Sequence, residues 1–491
     1  MKRASLIGVG IGQGPADWQI IQRRLDNSAD IPLAGTWLAP GDRLGKVEVR
    51  LVDETRQCPV TGNLDWSDAD SNPNHTWRHV IENVPAGGPY RLETRLRLDD
   101  DPWRLAGDQI HYLGVGDLWI IAGDDNALGF GRGFVDDPPE LGVHLFRLSE
   151  RWELASHPLH DSTAIRDGNF FSPGSAGHSP WLSFARRLRK ATGLPIGLIP
   201  AAREASPLEV WHNRKKTGNP PALANLLHLV HLASSLHDFS KFSLHDGAIQ
   251  KLEKPKEPPG PVAGCVWYQG EADCRREGWA RSYGTGFREF VERLRNGLAA
   301  PCLPLVVCQL NRVVGVARAG EANLWGLVRE AQRAAGHDLD YLAVVPTLDA
   351  ALSDGIHNSA SGNLLIGERA ANSALGLVYG KDAAWRFPDF HDAWLEEGRR
   401  DRAIVEFSHI SGELRPVAGE MPAFGIADAQ GGAPIRKIKL IGKNRIWIQV
   451  NRELGEKPVI SLCAGHNPVI ALVDDNNCPP LAFSGIAIRE D

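Results

Sequence analysis

The stretch Gly264-Cys265-Val266-Trp267-Tyr268-Gln269-Gly270-Glu271-Ala272-Asp273 begins as an unbroken apolar and aromatic run and ends abruptly in polar residues. A continuous apolar run of this length suits a strand buried on both faces. A glycine flanked by polar groups at its end is how open α/β sheets present chemistry, at the carboxyl ends of their strands. Taken alone, the stretch would equally suit an ordinary strand and loop.

The surroundings repeat the pattern. Leu118 to Ala122, Pro195 to Ile199, Leu305 to Cys308 and Leu342 to Val345 are further short apolar runs. Between them lie helical segments. One has Ser179 as expected N-cap, Pro180 in its first turn and Gly193 at its end; another carries Tyr283, Phe287, Phe290 and Leu294 on one face. A last helix is expected near Leu364 to Leu375. Alternation of this kind predicts a mostly parallel sheet covered by helices.

The flanks read differently. Val47 to Leu51 and Tyr90 to Leu96 alternate with period two, and Ile435 to Ile441 with Arg445 to Val450 flank the turn Gly442-Lys443-Asn444 as a hairpin. Val459 to Leu462 and Val469 to Val473 are further expected strands. The expected division is therefore 1–112 (β), 113–395 (α/β) and 396–491 (β). Residues 213–260, with the Pro/Lys/Glu run Lys251 to Pro259, are expected as a surface excursion.

Composition bounds the function. The chain has 491 residues, a net charge of -6 and seven cysteines. That charge gives no electrostatic case for nucleic acid or an anionic membrane. The odd cysteine count without paired metal spacings, and an N-terminus without a sustained apolar run, point to a reduced, cytoplasmic protein with no signal peptide or transmembrane span. Gly8 to Gly14 has the wrong spacing for a dinucleotide loop, and Pro15 follows it. His228 and His231 share a helical face but lack a third ligand, so no metal site is expected.

Four stretches close the strands of the α/β region: Gly123-Asp124-Asp125-Asn126, Arg203-Glu204-Ala205-Ser206, Gln269-Gly270-Glu271 and Asp354-Gly355-Ile356-His357. The last carries the clearest mechanism. A carboxylate three residues before a histidine can hold the imidazole in one tautomer and stabilise its protonated form. Such a pair needs a hydroxyl or thiol to activate.

These motifs, with Gly116-Asp117-Leu118-Trp119, Gln309-Leu310-Asn311-Arg312 and Gly367-Glu368-Arg369, resemble the sialate O-acetylesterase-like (SASA) carbohydrate esterases of the SGNH hydrolase superfamily. The Trp267-Tyr268-Gln269-Gly270-Glu271 string is the most specific of them. The resemblance implies an SGNH-hydrolase-type (flavodoxin-like) three-layer parallel sheet with accessory β-sandwich segments. It implies removal of acetyl groups from sugars through an acyl-enzyme, with no metal or organic cofactor and a small acetylated carbohydrate as ligand. The motifs leave the particular sugar and the oligomeric state open.

The resemblance also exposes a departure. The family's nucleophilic serine falls at Asp125, and its oxyanion glycines fall at Glu204 and Ala205. Asp354 and His357 match the orienting acid and the base. Gly123, Asn126, Glu204, Ala205, Gln269 and Glu271 are the candidates for oxyanion or substrate binding, Gln269 as a polar donor. A carboxylate beside an oxyanion hole opposes the charge that acyl transfer develops. A catalytically impaired relative is therefore expected, with Asp125 and His357 within ion-pair reach. The alternatives are a hydrolase with another nucleophile or a base-activated water, and a sugar-binding pseudoenzyme. Ser206 and Ser353 are nearby hydroxyls, but neither falls at the nucleophile position.

Overall fold

The computed structural model describes residues 7–41, 43–61, 64–99, 102–161, 177–212, 221–235, 237–238, 262–315, 321–381, 385–417 and 422–490. The Lys251 to Pro259 run lies outside them.

The N-terminal part is antiparallel. Strands β1 (Gly8–Gly14), β3 (Ser28–Leu38) and β5 (Thr76–Pro85) form one sheet, while β4 (Gly45–Asp53) pairs with β6 (Gly87–Leu98) in another. Inward residues of the two share one core: Ile31, Leu33, Trp37 and Trp77 from the first, Val47, Val49, Leu51, Leu92 and Leu96 from the second. That the glycine-rich opening forms β1, paired along Gly8 to Gln13, removes the dinucleotide-loop alternative.

The link to the α/β part is one strand. β7 runs 20 residues, Arg104–Gly123. Its first half pairs antiparallel with β6, and its second half lies parallel between β10 (Ile196–Pro200) and β11 (Gly264–Tyr268). The short β2 (Ile20–Gln22) pairs with it between the two halves. Residue 112 therefore falls inside a strand, and composition changes there because the pairing partners change.

The parallel array runs β8 (Val143–Phe146), β10, β7, β11, β12 (Leu305–Cys308), β13 (Leu342–Val345), with β9 (Trp152–Leu154) antiparallel at the β8 edge. Every residue of β10, β11, β12 and β13 is buried, which is why these strands read as continuous apolar runs. The molecule is thus mixed α/β, with one large central sheet and several separate sheets.

Helices follow the strands. In α1 (Trp181–Thr192) the cap differs from the expectation by one residue. Pro180 is the N-cap, Ser179 accepts only a long 3.5 Å bond from Trp181 N–H, and Gly193 closes the helix in the left-handed conformation. The basic run Arg186, Arg187, Arg189, Lys190 lies on its wetter side, while Trp181, Phe184 and Leu188 are buried. Helix α2 (Pro221–Ser234) carries His228 and His231. Helix α3 (Glu277–Gly297) buries the expected face of Tyr283, Phe287, Phe290 and Leu294. It packs on α4 (Glu321–Asp338), and α1 packs on α5 (Ala360–Leu377).

The C-terminal β part has its own core around Val405, Phe407, Ile448, Ile460 and Phe483. Its hairpin spans Ile435–Ile441 and Arg445–Val450 as expected, but the last expected strand shrinks to Leu472–Val473. Arg329 of α4 ties this part to the α/β sheet. It is fully buried and donates to the backbone carbonyls of Leu310 and Asn311 on one side and Cys463, Gly465 and His466 on the other. Burial pushes its guanidinium down to about 10. Among the described residues no helix is long and apolar enough to cross a membrane. None of the seven cysteines is in a disulfide.

Candidate active site

The site forms where β7, β10, β11 and β13 end, on the loops that follow each strand. Gly123 closes β7 at φ 139, and a Cβ there would lie 2.0 Å from Tyr268 O, so only glycine permits the two neighbouring strands to end side by side. The chain then makes one helical turn, Asp125–Leu128. That turn lifts Asp125 toward solvent and folds Asp124 and Asn126 inward, at 1% and 2% exposure.

His357 arrives from the opposite loop. Asp354 accepts the backbone N–H groups of Ile356 (2.8 Å) and His357 (2.7 Å) through Oδ1, and its Oδ2 lies 2.7 Å from His357 Nδ1. One short carboxylate thus shapes the turn and fixes the imidazole with a proton on Nδ1. Immediately beyond, Ser359 caps α5 by accepting from Gly362 N–H at 3.1 Å. Phe130 stacks on the His357 ring at 4.9 Å between centroids, a contact that sequence reading missed because no spacing rule joins the two loops.

The two loops meet at Asp125. Its Oδ2 is 3.7 Å from His357 Nε2, within ion-pair reach, and its Oδ1 accepts the N–H of Ala205 at 2.7 Å. Ala205 holds φ +48, a left-handed conformation that glycine adopts freely and alanine does not. Ala205, where the resemblance places an oxyanion glycine, therefore still presents a backbone N–H, and it is aimed at Asp125. The Asp125 and Asp354 carboxylates on either side push His357 up to about 9, against the effect of burial. Burial alone would raise Asp125. The His357 partner and the Ala205 N–H outweigh it and hold Asp125 below its ordinary value.

Behind this pair lie carboxylates that solvent does not reach. Asp124 accepts the Ser206 N–H at 2.9 Å, and burial, then its neighbours Asp125 and Glu271, push its pKa well up. Glu271, 5% exposed, is pushed up to about 7 by burial. Asn126 bridges the layers, donating to Glu271 Oε1 at 2.7 Å.

Gln269 turns inward rather than toward the site. Its amide nitrogen donates to Ser206 O (2.9 Å) and Asp273 Oδ2 (2.6 Å), and its oxygen accepts from Tyr283 (2.9 Å). The Ser206 hydroxyl is likewise buried, donating to Arg203 O at 2.8 Å. The Ser353 hydroxyl donates to the backbone oxygens of His357 (3.4 Å) and Asn358 (3.3 Å). Glu204 is half-buried beside Ala205.

Among the described residues the one grouping with metal-like spacing is Asp137, His157 and His178, separate from His228 and His231. His157 Nδ1 accepts the Ser179 N–H, which puts the ring proton on Nε2, 3.0 Å from Asp137 Oδ2. Arg186 takes the other Asp137 oxygen at 2.8 Å. These bonds make the grouping a hydrogen-bonded network.

Comparison with known proteins agrees with this architecture. A probable carbohydrate esterase of Arabidopsis thaliana is 25% identical over 277 residues, covering 52% of this chain and 90% of that protein. Sialate O-acetylesterase of Rattus norvegicus is 24% identical over 272 residues, 45% of this chain and 49% of the relative, so the chain spans about half that protein. The crystal structure of a carbohydrate acetylesterase from Xanthomonas citri superposes with a TM-score of 0.62 at 20% identity, over 95% of this chain and 97% of that one, a likeness of fold. The model of the family described as carbohydrate esterase, sialic acid-specific acetylesterase matches residues 115–376. With more than half of its length inside that model, this chain belongs to the SASA family of carbohydrate esterases.

Proposed function

We propose that this protein holds an O-acetylated sugar at the Asp125–His357 site and does not cleave it by the serine route. The architecture in this reading is an SGNH-type three-layer α/β unit, residues 113–395. An N-terminal β-sandwich, 1–112, is fused to it through β7, and a C-terminal β segment, 396–491, packs beside it. Seven cysteines outside any disulfide support a reducing, cytoplasmic setting.

One observation carries the reading: Asp125 Oδ1 occupies the Ala205 N–H that an acyl-transfer oxyanion would need. Two further arguments support it. A carboxylate that attacked an acetyl ester would give a tetrahedral adduct, which expels the carboxylate far more readily than the sugar alkoxide, so the adduct returns to the ester rather than going on to a mixed anhydride. A histidine held protonated to about pH 9 is a poor general base at neutrality. Asp125 and His357 are then ligand-contacting residues, Asp354 orients the imidazole, and no metal or organic cofactor takes part.

The test is release of 4-nitrophenol from 4-nitrophenyl acetate by the intact protein, Asp125→Ser and Asp125→Asn, beside calorimetric titration with O-acetylated sialic acid. The intact protein is expected at the buffer rate with measurable sugar binding. Asp125→Ser frees the Ala205 donor and the base together, and gains at least about a hundredfold, the worth of one oxyanion donor. A fast intact protein overturns the reading. Retention of that rate by Asp125→Asn would point to another nucleophile, and its loss to water activated by Asp125.

A further inference from the structure

Asn126 and Glu271 stand among the candidates for substrate contact, yet both lie under the site. Asn126 is 2% exposed and Glu271 5%. The Asn126 side chain makes three bonds. Its amide nitrogen donates to Glu271 Oε1 (2.7 Å) and to the carbonyl of Ile356 (3.3 Å), and its oxygen accepts the N–H of Asn358 (2.9 Å).

Ile356 and Asn358 are the residues on either side of His357. A side-chain amide offers one acceptor and two donors, so it can pair with a loop as a neighbouring strand's backbone would. Here one amide grips the histidine loop before and after the imidazole. Glu271 fixes which way the amide faces. The ionised carboxylate only accepts, as the Ile356 carbonyl does, and the Asn358 N–H only donates, so the nitrogen lies toward Glu271 and the oxygen toward Asn358 N–H. Asn358 is anchored in turn by Asn311, whose amide donates to its Oδ1 at 2.7 Å.

We infer that Asn126 and Glu271 are positioning residues, which hold His357 opposite Asp125 by clamping the backbone on both sides of it. This rests on the reading of Asp125 and His357 as the working pair. The clamp explains why the residue after Asp125 and the residue after the Gln269-Gly270 turn need a polar side chain although neither meets solvent. It also ties the β7 end to the β11 end and to the α5 loop, so the spacing of the pair depends on three elements at once. A buried hydrogen-bond chain of this kind gains most from complete satisfaction.

The experiment is the titration of His357 in the intact protein carrying 13C-labelled histidine, with His357→Ala identifying its signal. Asn126→Ala is expected to lower the His357 pKa by at least about one unit, a tenfold loss of proton affinity. Glu271→Gln and Glu271→Leu both remove the charge, but only glutamine keeps an acceptor for Asn126. The glutamine variant should therefore titrate clearly above the leucine one. If folded Asn126→Ala titrates as the intact protein does, or the two Glu271 variants titrate alike, the clamp is wrong. Should Asn126→Ala not fold, the Glu271 pair decides alone. Ester and sugar measurements do not enter, so failure here leaves the proposed function separately testable.

Discussion

The backbone N–H of Ala205 lies 2.7 Å from Oδ1 of Asp125, across the gap between the β7 and β10 loops. A backbone donor of the β10 loop is thus taken up by a carboxylate of the β7 loop. The other oxygen of the same carboxylate faces His357 Nε2 at 3.7 Å. One side chain therefore joins the β10 loop to the loop that carries His357, and Asp125 and His357 face each other as an ion pair.

Replacing Ala205 by glycine should stabilise the fold. Alanine at φ +48 carries the left-handed penalty of about 1–2 kcal/mol, offset in part by the larger unfolded-state entropy of glycine. A net gain of about 0.5–1 kcal/mol in unfolding free energy is expected from urea denaturation. An equal loss would show that this turn is unstrained.

His357 makes stability depend on pH in a defined direction. Its folded pKa of about 9 lies above its ordinary 6.5, so its contribution is complete below pH 6.5 and disappears as pH rises through 9. Asp125→Asn and Asp354→Asn should each lower that pKa, and each should cost more stability at pH 6 than at pH 9.5. Histidine NMR and denaturation at the two pH values check this. A cost independent of pH would contradict it.

Glu271 acts in the same sense by another cause. Burial raises its pKa from 4.5 to about 7, so the folded state holds its proton longer than the unfolded chain, and stability falls as pH rises from 4.5 through 7. Glu271→Gln should match the intact protein near pH 4.5. Above pH 7.5 it should be more stable, on the order of 1–3 kcal/mol. Denaturation curves that stay parallel across this range would refute the assignment.

Arg329→Met should loosen the C-terminal part. The substitution leaves carbonyls of Leu310, Asn311, Cys463, Gly465 and His466 without their buried donor. A loss of about 3–5 kcal/mol is expected, with new protease cleavage between residues 463 and 466. Unchanged cleavage would mean that the core around Phe407 and Ile460 holds that part unaided.

Much of the fold was legible because buried strands announce themselves. The apolar runs at Leu118, Val266, Val306 and Val344 all lie in the parallel sheet, for strands covered on both sides are built mostly from apolar residues. Asp354 and His357 were legible because the pairing is local, three residues apart. The Ala205 donor was not. Whether a residue other than glycine keeps its N–H in place depends on a backbone angle, and Ala205 pays for that angle in strain the sequence does not record. The inward turn of Gln269 escaped notice for a related reason: its partners Ser206 and Tyr283 come from other elements. The unbroken β7 was hidden as well, since a change of partner along one strand looks like a change of domain.

That strand carries a consequence for the order of folding. β6 and the first half of β7 are adjacent in the chain and pair antiparallel from Arg97 and Arg104 onward, so little loop entropy opposes their meeting. The second half pairs with β10 and β11, whose residues arrive some 80 and 145 positions later, as Asp117 with Ile196 and Trp119 with Gly264. We hypothesise that the hairpin forms first and presents the centre of the later sheet as a template. In pulsed hydrogen exchange, amides of Leu92 to Leu96 should then gain protection before those of Val306 and Val344, and the reverse order would rule the template out.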